Sequence, residues 1–188
     1  MIKIGITGSL ASGKTTASKI LSFKRGPLFS ADKAVKELYK NRRFKLLVSK
    51  IFRVKNNSQL KKSLTKLILK NKNNIKKLER VIHPLVRKKM KNFTLQNKNK
   101  KLLFYEIPLL IENKLMKHFN VVIFIKAKKK LRLKRFQSKN GDKRLFNLLN
   151  NKQLNDAKKI KFCDHVVVNE KNFNILKKNL FAIIDKYE

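Results

Sequence analysis

The chain has 188 residues, 42% of them hydrophobic, which is enough for one well-buried core and too few for two ordinary domains. Lys and Arg number 49 against 11 Asp and Glu, and the formal net charge of +38 favours anionic ligands. No apolar run approaches the length of a transmembrane helix, so we expect no membrane partner. The single cysteine, Cys163, excludes an intrachain disulfide, which is typical of proteins in the reducing cytoplasm. We therefore expect one α/β domain, located in the cytoplasm.

The first predicted elements are a strand, a glycine-rich turn and a helix. Residues 2–7 form an apolar, strand-like segment, and residues 8–15, GSLASGKT, match the phosphate-loop pattern GxxxxGK[ST] at every fixed position. The segment TASKILSF follows, with Ala17, Ile20 and Leu21 at helical spacing. The loop is therefore expected to join a buried strand to the N-terminus of a helix, an arrangement that binds phosphate.

Each fixed residue of this loop has its own chemical role. Gly8 and Gly13 allow the backbone to curve until successive N–H groups point into one concavity. Lys14 supplies a positive charge for the β and γ phosphates, and the Thr15 hydroxyl is placed to hold Mg²⁺. The loop therefore predicts a site for a nucleoside triphosphate with Mg²⁺.

Short apolar runs alternate with longer amphipathic ones along the rest of the chain. This alternation predicts a parallel sheet covered by helices on both faces. Together with the first strand, the apolar runs give five strands, which fit one doubly wound sheet. The later strand candidates are residues 27–30, 101–106, 120–126 and 165–168.

Two stretches outside the strands keep helical spacing. The polar stretch at residues 34–99 carries regularly spaced apolar residues and is predicted to be an inserted helical subdomain. The C-terminal stretch has one apolar stripe and is predicted to be a closing helix packed on the sheet. The residues of that stripe are Phe173, Leu176, Leu180, Ile183 and Tyr187.

Two acidic residues lie at or just after the ends of predicted strands. Asp32 comes after PLFSA and is expected at the carboxyl end of the sheet, where a carboxylate can orient an acceptor hydroxyl and accept its proton. The alternative use of Asp32 is as N-cap of a helix that begins near Ala34, and both uses are compatible. Glu106 ends the strand KLLFYE, where we expect it to hold a water molecule of the Mg²⁺ shell or to be an ordinary strand-end acid.

A phosphate loop alone permits a GTPase, a motor ATPase or a small-molecule kinase. No NKxD tetrapeptide, which reads guanine, follows the loop, and this argues against a GTPase of the usual kind. A motor ATPase normally needs a longer chain. The sequence therefore favours a small kinase.

Seven segments spread over almost the whole chain carry a family resemblance. In chain order they read GITGSLASGKTT, FSADKAVKELY, LERVIHPLV, YEIPLLIE, NVVIFI, FNLLNNKQ and CDHVVVN. The HP and PLLxE segments, in this order after a phosphate loop, are far more diagnostic than the loop itself. In these segments the chain resembles the bacterial dephospho-coenzyme A kinases, which phosphorylate the ribose 3′-hydroxyl of dephospho-CoA in the last step of CoA synthesis.

The resemblance implies a fold and a set of substrates. It implies one P-loop kinase domain over residues 1–188, with a five-stranded parallel sheet flanked by helices. A helical substrate-binding insertion at about residues 34–99 and a lid at about residues 127–150 complete the implied architecture. The implied partners are ATP and dephospho-CoA, with Mg²⁺ as cofactor, and the oligomeric state stays open.

The resemblance also implies roles for individual residues. Lys14, Asp32 and Arg135 are the implied catalytic residues, with Asp32 as the base and Arg132 as the alternative to Arg135 in the lid. From the residues alone, His83 is more typical of a hydrogen-bonded core histidine. The implied ATP-binding residues are Gly8, Ala11, Ser12, Gly13, Lys14, Thr15, Thr16 and, near the adenine, Asn169. The implied substrate-binding residues are Asp32, Arg80, His83, Pro108, Leu109 and Leu110, and the expected metal-binding residues are Thr15 and Glu106.

Two other functions remain open at this point. Another nucleoside or small-metabolite kinase would share the same core chemistry. The second alternative is an RNA-binding basic protein whose phosphate loop is vestigial, which the charge of +38 favours. However, the lysine excess is spread over nearly every segment, without a basic stripe interleaved with aromatic residues, so we expect no specific nucleic-acid partner.

Overall fold

The computed structural model describes residues 1–71 and 73–188. Its sheet has five parallel strands in the order β2-β3-β1-β4-β5, and the predicted fold class and strands are confirmed, with ends that differ by at most one residue. The strands are β1 (Ile2–Gly8), β2 (Leu28–Ser30), β3 (Leu102–Glu106), β4 (Val121–Lys126) and β5 (His165–Val168).

The strand order places β1 at the centre of the sheet, between β3 and β4. All five residues of β3 are buried, as are the first five of β4, whereas exposed and buried residues alternate in the edge strand β5. After β1 the chain forms β2 and β3 on one side of β1 in the sheet, and it then forms β4 and β5 on the other side. The carboxyl end of β1 is therefore a topological switch point, which is where ligands bind in open α/β sheets.

Helices connect the strands, and the chain divides into two compact units. One unit contains Met1–Ser30 and Thr94–Glu188, and the other contains Ala31–Phe93. None of the helices among the described residues combines the length and apolar character needed to cross a bilayer. The helices are α1 (Lys14–Ser22), α2 (Ala31–Leu38), α3 (Arg42–Phe52), α4 (Leu60–Lys70), α5 (Asn73–Gln96), α6 (Lys129–Gln137), α7 (Lys143–Lys152), α8 (Asp156–Ile160) and α9 (Phe173–Ile184).

The core of the first unit lies between the sheet and helices α1 and α9. In α9 the buried residues are Leu176, Leu180 and Ile184, which are four residues apart and share one face. The predicted stripe is wrong at Phe173, which begins the helix, lies outside the core cluster and is 56% exposed. Tyr187 lies beyond the end of α9 and packs at the margin of the core.

The second unit is a cluster of four helices, α2 to α5. Its apolar core is formed where α3 and α4 meet the end of α2 and one face of α5. Helix α5 contains Pro84, whose ring removes one backbone hydrogen bond from the helix interior. The role of residues 34–99 as a substrate-binding insertion stays a prediction. The buried core residues are Leu38, Phe44, Val48, Phe52, Leu60 and Leu64.

Candidate active site at the phosphate loop

The loop between β1 and α1 has the backbone geometry that the glycine pattern predicts. Gly8 has φ of 151° and Gly13 has φ of 97°, both in the region that L side chains rarely adopt. A Cβ atom on Gly8 would overlap the carbonyl oxygen of Ile125, and one on Gly13 would overlap the Asn169 amide. Both positions therefore require glycine for conformation and for space.

The loop leads directly into the N-terminus of α1. Gly13 is the N-cap residue and Lys14 is the first helical residue, so the first-turn N–H groups of α1 have no acceptor within the helix and carry the positive end of its dipole. The Lys14 side chain is 8% exposed, and its Nζ donates to the Ser9 carbonyl at 3.0 Å. The first-turn N–H groups and the Lys14 ammonium together form an anion-binding site, which we call the anion nest.

A hydroxyl and a carboxylate meet beside this nest. Thr15 Oγ1 donates to Glu106 Oε1 at 2.5 Å, and Glu106 is 1% exposed at the carboxyl end of β3. Oxygen ligands of these two kinds suit Mg²⁺, which proteins usually hold through one or two carboxylates together with phosphate oxygens. A cluster of three or more His, Cys, Asp or Glu is absent from the described residues, and such a cage is not needed for Mg²⁺ bound in this way.

Two side chains from distant segments of the chain donate hydrogen bonds to the loop at Ser12. The Asn169 amide, immediately after β5, donates to the Ser12 carbonyl at 2.8 Å. Arg135 Nη1, from α6, donates to the same carbonyl at 3.3 Å. The structure therefore brings Asn169 and Arg135 to the loop, as the family resemblance implied, while their roles toward ATP stay predictions.

The second lid candidate, Arg132, occupies a different environment. Its guanidinium is buried and donates to the carbonyls of Ala127, at 3.1 Å, and Leu10, at 3.3 Å, and to Asn150 Oδ1 at 2.8 Å. Burial lowers the pKa of Arg132, although the Asp156 carboxylate acts in the opposite direction. Because three protein acceptors occupy Arg132, the half-buried Arg135 is better placed to reach a ligand.

Further side chains that sequence reasoning missed hold the start of the loop. The Ser9 hydroxyl donates to Asp156 Oδ1, and the Leu10 N–H donates to Gln153 Oε1 at 3.0 Å. Asp156 lies 147 residues from Ser9, so no local pattern marks this contact. Gln153 ends the segment FNLLNNKQ, which was the one available signal, although its chemical role was not evident from the sequence.

The turn after β3 holds the predicted residues Pro108, Leu109 and Leu110. The Thr7 hydroxyl donates to the Pro108 carbonyl at 3.3 Å, which ties this turn to β1. Leu110 is fully buried in contact distance of Gly5, so its side chain belongs to the core. Pro108 and Leu109 are half-buried and are the members of this group with surface available for a ligand.

The remaining predicted residues lie in the second unit. Helix α2 begins at Ala31, so Asp32 is an exposed residue of its first turn and the N-cap interpretation is wrong. A carboxylate at this position interacts favourably with the helix dipole. Arg80 and His83 lie three residues apart on α5 and therefore share a face, with Arg80 exposed and His83 half-buried.

The family model for dephospho-CoA kinase matches residues 2–174 of this chain. This chain belongs to the dephospho-CoA kinase family. The dephospho-CoA kinase of Rickettsia prowazekii is 34% identical over 189 residues, covering 100% of this chain and 98% of the relative. That of Bartonella quintana is 32% identical, covering 97% of this chain and 96% of the relative.

A solved structure agrees with this assignment. The dephospho-CoA kinase from Campylobacter jejuni is 26% identical and has a TM-score of 0.66, with 99% of this chain and 97% of that chain covered. The predicted family, the P-loop kinase fold and the enzyme class, a phosphotransferase, are therefore confirmed. The dephospho-CoA kinase family uses a nucleotide substrate, and the loop geometry described above suits a polyphosphate.

Proposed function

We propose that this chain transfers the γ-phosphoryl group of ATP to the ribose 3′-hydroxyl of dephospho-CoA, which gives CoA in the last step of its synthesis. The observation that carries the proposal is the buried Lys14 at a helix N-terminus beside the Thr15–Glu106 pair, in a chain of the dephospho-CoA kinase family. The reaction breaks the bond between the γ-phosphorus and its bridging oxygen and forms one to the 3′-oxygen. The acceptor proton goes to a carboxylate.

The loop supports the ATP side of this reaction. The first-turn N–H groups of α1 and the Lys14 ammonium would neutralise charge on the β and γ phosphates, and the hydrogen bond from Lys14 to the Ser9 carbonyl positions the ammonium at the loop. Asn169 and Arg135 both bind the Ser12 carbonyl, so ATP on the loop would lie close to both side chains. Arg135 would then stabilise the charge on the transferring group.

Thr15 and Glu106 would hold Mg²⁺. Their oxygens lie 2.5 Å apart, and both are hard ligands of the kind that this ion prefers. When bound, the ion supplies positive charge that the phosphate oxygens require in phosphoryl transfer. The protein itself positions these two oxygens through the rigid junctions of β1 with α1 and of β3 with the following turn.

Asp32 would orient the acceptor hydroxyl and accept its proton. It follows the end of β2 by two residues, and the last residue of β2, Ser30, pairs in the sheet with Glu106. Asp32 is exposed and is therefore accessible to an acceptor. Arg80, His83, Pro108 and Leu109 would line the dephospho-CoA side, with residues 34–99 as the substrate-binding insertion and residues 127–150 as a lid that excludes water.

The proposed partners are thus ATP and dephospho-CoA, in the cytoplasm and without a specific nucleic-acid partner. The turnover number expected for such a kinase is roughly 1 to 100 per second. The net charge of +38 would attract anionic substrates and would also cause salt-sensitive, non-specific RNA binding.

An acceptor panel tests this function against its two alternatives. Purified protein is incubated with ATP, Mg²⁺ and, in turn, dephospho-CoA, adenosine, deoxyadenosine or shikimate, and ADP release is measured. We expect release with dephospho-CoA to exceed that with the other acceptors, and to fall roughly 10²- to 10³-fold in Lys14→Ala. Faster release with another acceptor would contradict the proposal, as would acceptor-independent ADP release together with RNA binding that persists at high salt.

The panel needs a matched control for the loop lysine. Lys19 is an exposed lysine of the same helix, and Lys19→Ala removes one charge without touching the loop. We expect Lys19→Ala to retain wild-type ADP release. A loss as large as that in Lys14→Ala would show that net charge, and not the nest, determines the rate.

A further inference from the structure

Lys14 and Lys159 are the two lysines that are buried among the described residues. In a chain with 49 Lys and Arg, almost every other cation is solvated, and burying an ammonium is unfavourable unless it is paired. Lys14 is the loop lysine of the site described above. Lys159, on α8, is 0% exposed, and the proposed mechanism gives it no part.

The Lys159 ammonium joins two side chains. Its Nζ lies 2.7 Å from Glu112 Oε1 and 3.5 Å from Gln153 Oε1. Gln153 Oε1 also accepts the hydrogen bond from the Leu10 N–H at 3.0 Å. A continuous chain of contacts therefore runs from the Glu112 carboxylate through Lys159 and Gln153 to the backbone of the phosphate loop.

The chemistry of these groups fixes the orientation of Gln153. An ammonium and a backbone N–H are both donors only, whereas a glutamine amide can present either its oxygen or its NH₂ group. With Lys159 and the Leu10 N–H both facing it, Gln153 must present its oxygen. The Lys159 charge thus excludes the flipped amide, which would place two donors against the loop.

The held segment is the part of the loop that precedes the anion nest. Leu10 is bound on both sides, since its carbonyl accepts from Arg132 at 3.3 Å, and the preceding Ser9 hydroxyl donates to Asp156. Both backbone polar groups of Leu10 are therefore held by side chains from outside the loop. We propose that Lys159 is a positioning residue, paired with Glu112, which sets the loop conformation for ATP through Gln153.

The same pair reaches the turn that follows β3. Glu112 Oε1 accepts the Leu154 N–H at 3.1 Å, which fixes the backbone next to Gln153. Glu112 itself lies two residues after Leu110, in the segment YEIPLLIE. The ion pair therefore connects Gln153 to the turn after β3, and Gln153 does not depend on α7 alone for its position.

The test is ATP binding without any acceptor, measured by isothermal titration calorimetry with Mg²⁺. Lys159→Met keeps the length of the side chain and removes its charge, and we expect the Kd for ATP to rise roughly 10- to 100-fold, as when groups that orient ligands from the outer shell are lost. Gln153→Met should give a rise of the same size, with no additive effect in the double variant. Gln153→Glu keeps an oxygen acceptor for the Leu10 N–H and the Lys159 ammonium, so we expect it to bind ATP with the wild-type Kd.

A matched control separates positioning from stability. Lys89→Met removes an ammonium that also has one carboxylate partner, Glu37 at 2.9 Å, but far from the loop in sequence, and we expect it to leave the Kd for ATP unchanged. If Lys159→Met lowers the melting temperature and leaves the Kd at the wild-type value, Lys159 has a structural role only and the proposal is wrong. Should Lys159→Met not fold, Gln153→Met decides, because it leaves the ion pair intact.

The kinetic measurement rests on the proposed function. Its outcomes distinguish a failure of the proposed function from a failure of the positioning role. In steady state we expect the KM for ATP to rise in Lys159→Met while the KM for dephospho-CoA stays the same. If wild-type protein does not phosphorylate dephospho-CoA but Lys159→Met still weakens ATP binding, the proposed function fails and the positioning role stands. A wild-type Kd for ATP in Gln153→Met would overturn the positioning role whatever the acceptor.

Discussion

The Thr15 hydroxyl and the Glu106 carboxylate, 91 residues apart in the chain, are joined by a hydrogen bond of 2.5 Å. The bond connects the first turn of α1 to the carboxyl end of β3. Because Glu106 is buried and Thr15 is fixed by the helix, neither oxygen needs to move far to share a cation. This contact is the structural basis for placing Mg²⁺ at Thr15 and Glu106.

Replacing the Glu106 carboxylate should raise the Mg²⁺ concentration that the enzyme requires. Glu106→Gln keeps the shape and removes the charge, so we expect the Mg²⁺ concentration for half-maximal activity to rise roughly 10- to 100-fold. The measurement is a Mg²⁺ titration of ADP release at fixed ATP. Glu170→Gln, at a half-buried acid paired with the exposed Lys128, is the control and should behave as wild type. An unchanged titration curve in Glu106→Gln would remove Glu106 from the metal site.

Asp32→Asn should separate binding from chemistry. The substitution preserves the hydrogen-bonding shape but removes the proton acceptor, so we expect ATP to bind as in wild type and kcat to fall roughly 10²- to 10⁴-fold. Calorimetry gives the first quantity and the rate of CoA formation the second. Glu37→Gln changes an exposed acid on the same helix and should leave kcat unaltered. Wild-type turnover in Asp32→Asn would show that another group accepts the proton.

The C-terminal helix offers a test of stability. Leu180 is fully buried and Phe173 is 56% exposed, so Leu180→Ala should lower the free energy of unfolding by about 2 to 5 kcal/mol. Phe173→Ala should change it by no more than about 0.5 kcal/mol, as is usual on the surface. Denaturant titration of both variants gives the comparison. Equal losses in the two variants would contradict the packing of α9 described above.

The thiol of Cys163 provides a prediction about pH. Partial burial, reinforced by the Asp164 carboxylate, raises the pKa of the half-buried Cys163 thiol to about 12. A raised pKa means that the folded state favours the neutral thiol, so its contribution to stability is complete below the ordinary thiol pKa of about 8.5 and is lost as the pH rises toward 12. The native thiol is therefore expected to be unreactive near neutral pH.

Alkylation by iodoacetamide measures this directly, since Cys163 is the single cysteine of the chain. In guanidinium the rate should level off above about pH 9, as for an ordinary thiol. In native protein it should be much slower and still rise at pH 10. A native rate that levels off near pH 8.5 would show that the thiol is not buried as described.

The strands and the loop were predictable because their signals are local. An apolar run bounded by turn residues defines each strand, and the glycine pattern of residues 8–15 defines the loop, so both were predicted to within one residue. The start of α2 was predicted near Ala34 and lies at Ala31, because an aspartate is as typical of the first helical turn as of the N-cap.

The groups that hold the loop were not predictable in the same way. Ser9 with Asp156 and Leu10 with Gln153 are pairs more than 140 residues apart. Their partners lie at the start of the short helix α8 and just after the end of α7, where no distinctive spacing marks them. Lys159 resembles the other lysines of a lysine-rich chain, and its complete burial is evident only once α8 is folded. Phe173 was wrongly assigned to the buried stripe because its helical spacing matches the stripe, and spacing does not show how far the core extends toward the start of the helix.

The most direct measurement is mass spectrometry of the product formed from dephospho-CoA by purified protein with ATP and Mg²⁺. We predict a product with one added phosphate, which fragmentation locates on the 3′-oxygen of the ribose and which forms roughly 10²- to 10³-fold more slowly with Lys14→Ala. Unmodified dephospho-CoA in the presence of continued ATP turnover, or a phosphate on a different oxygen, would contradict it.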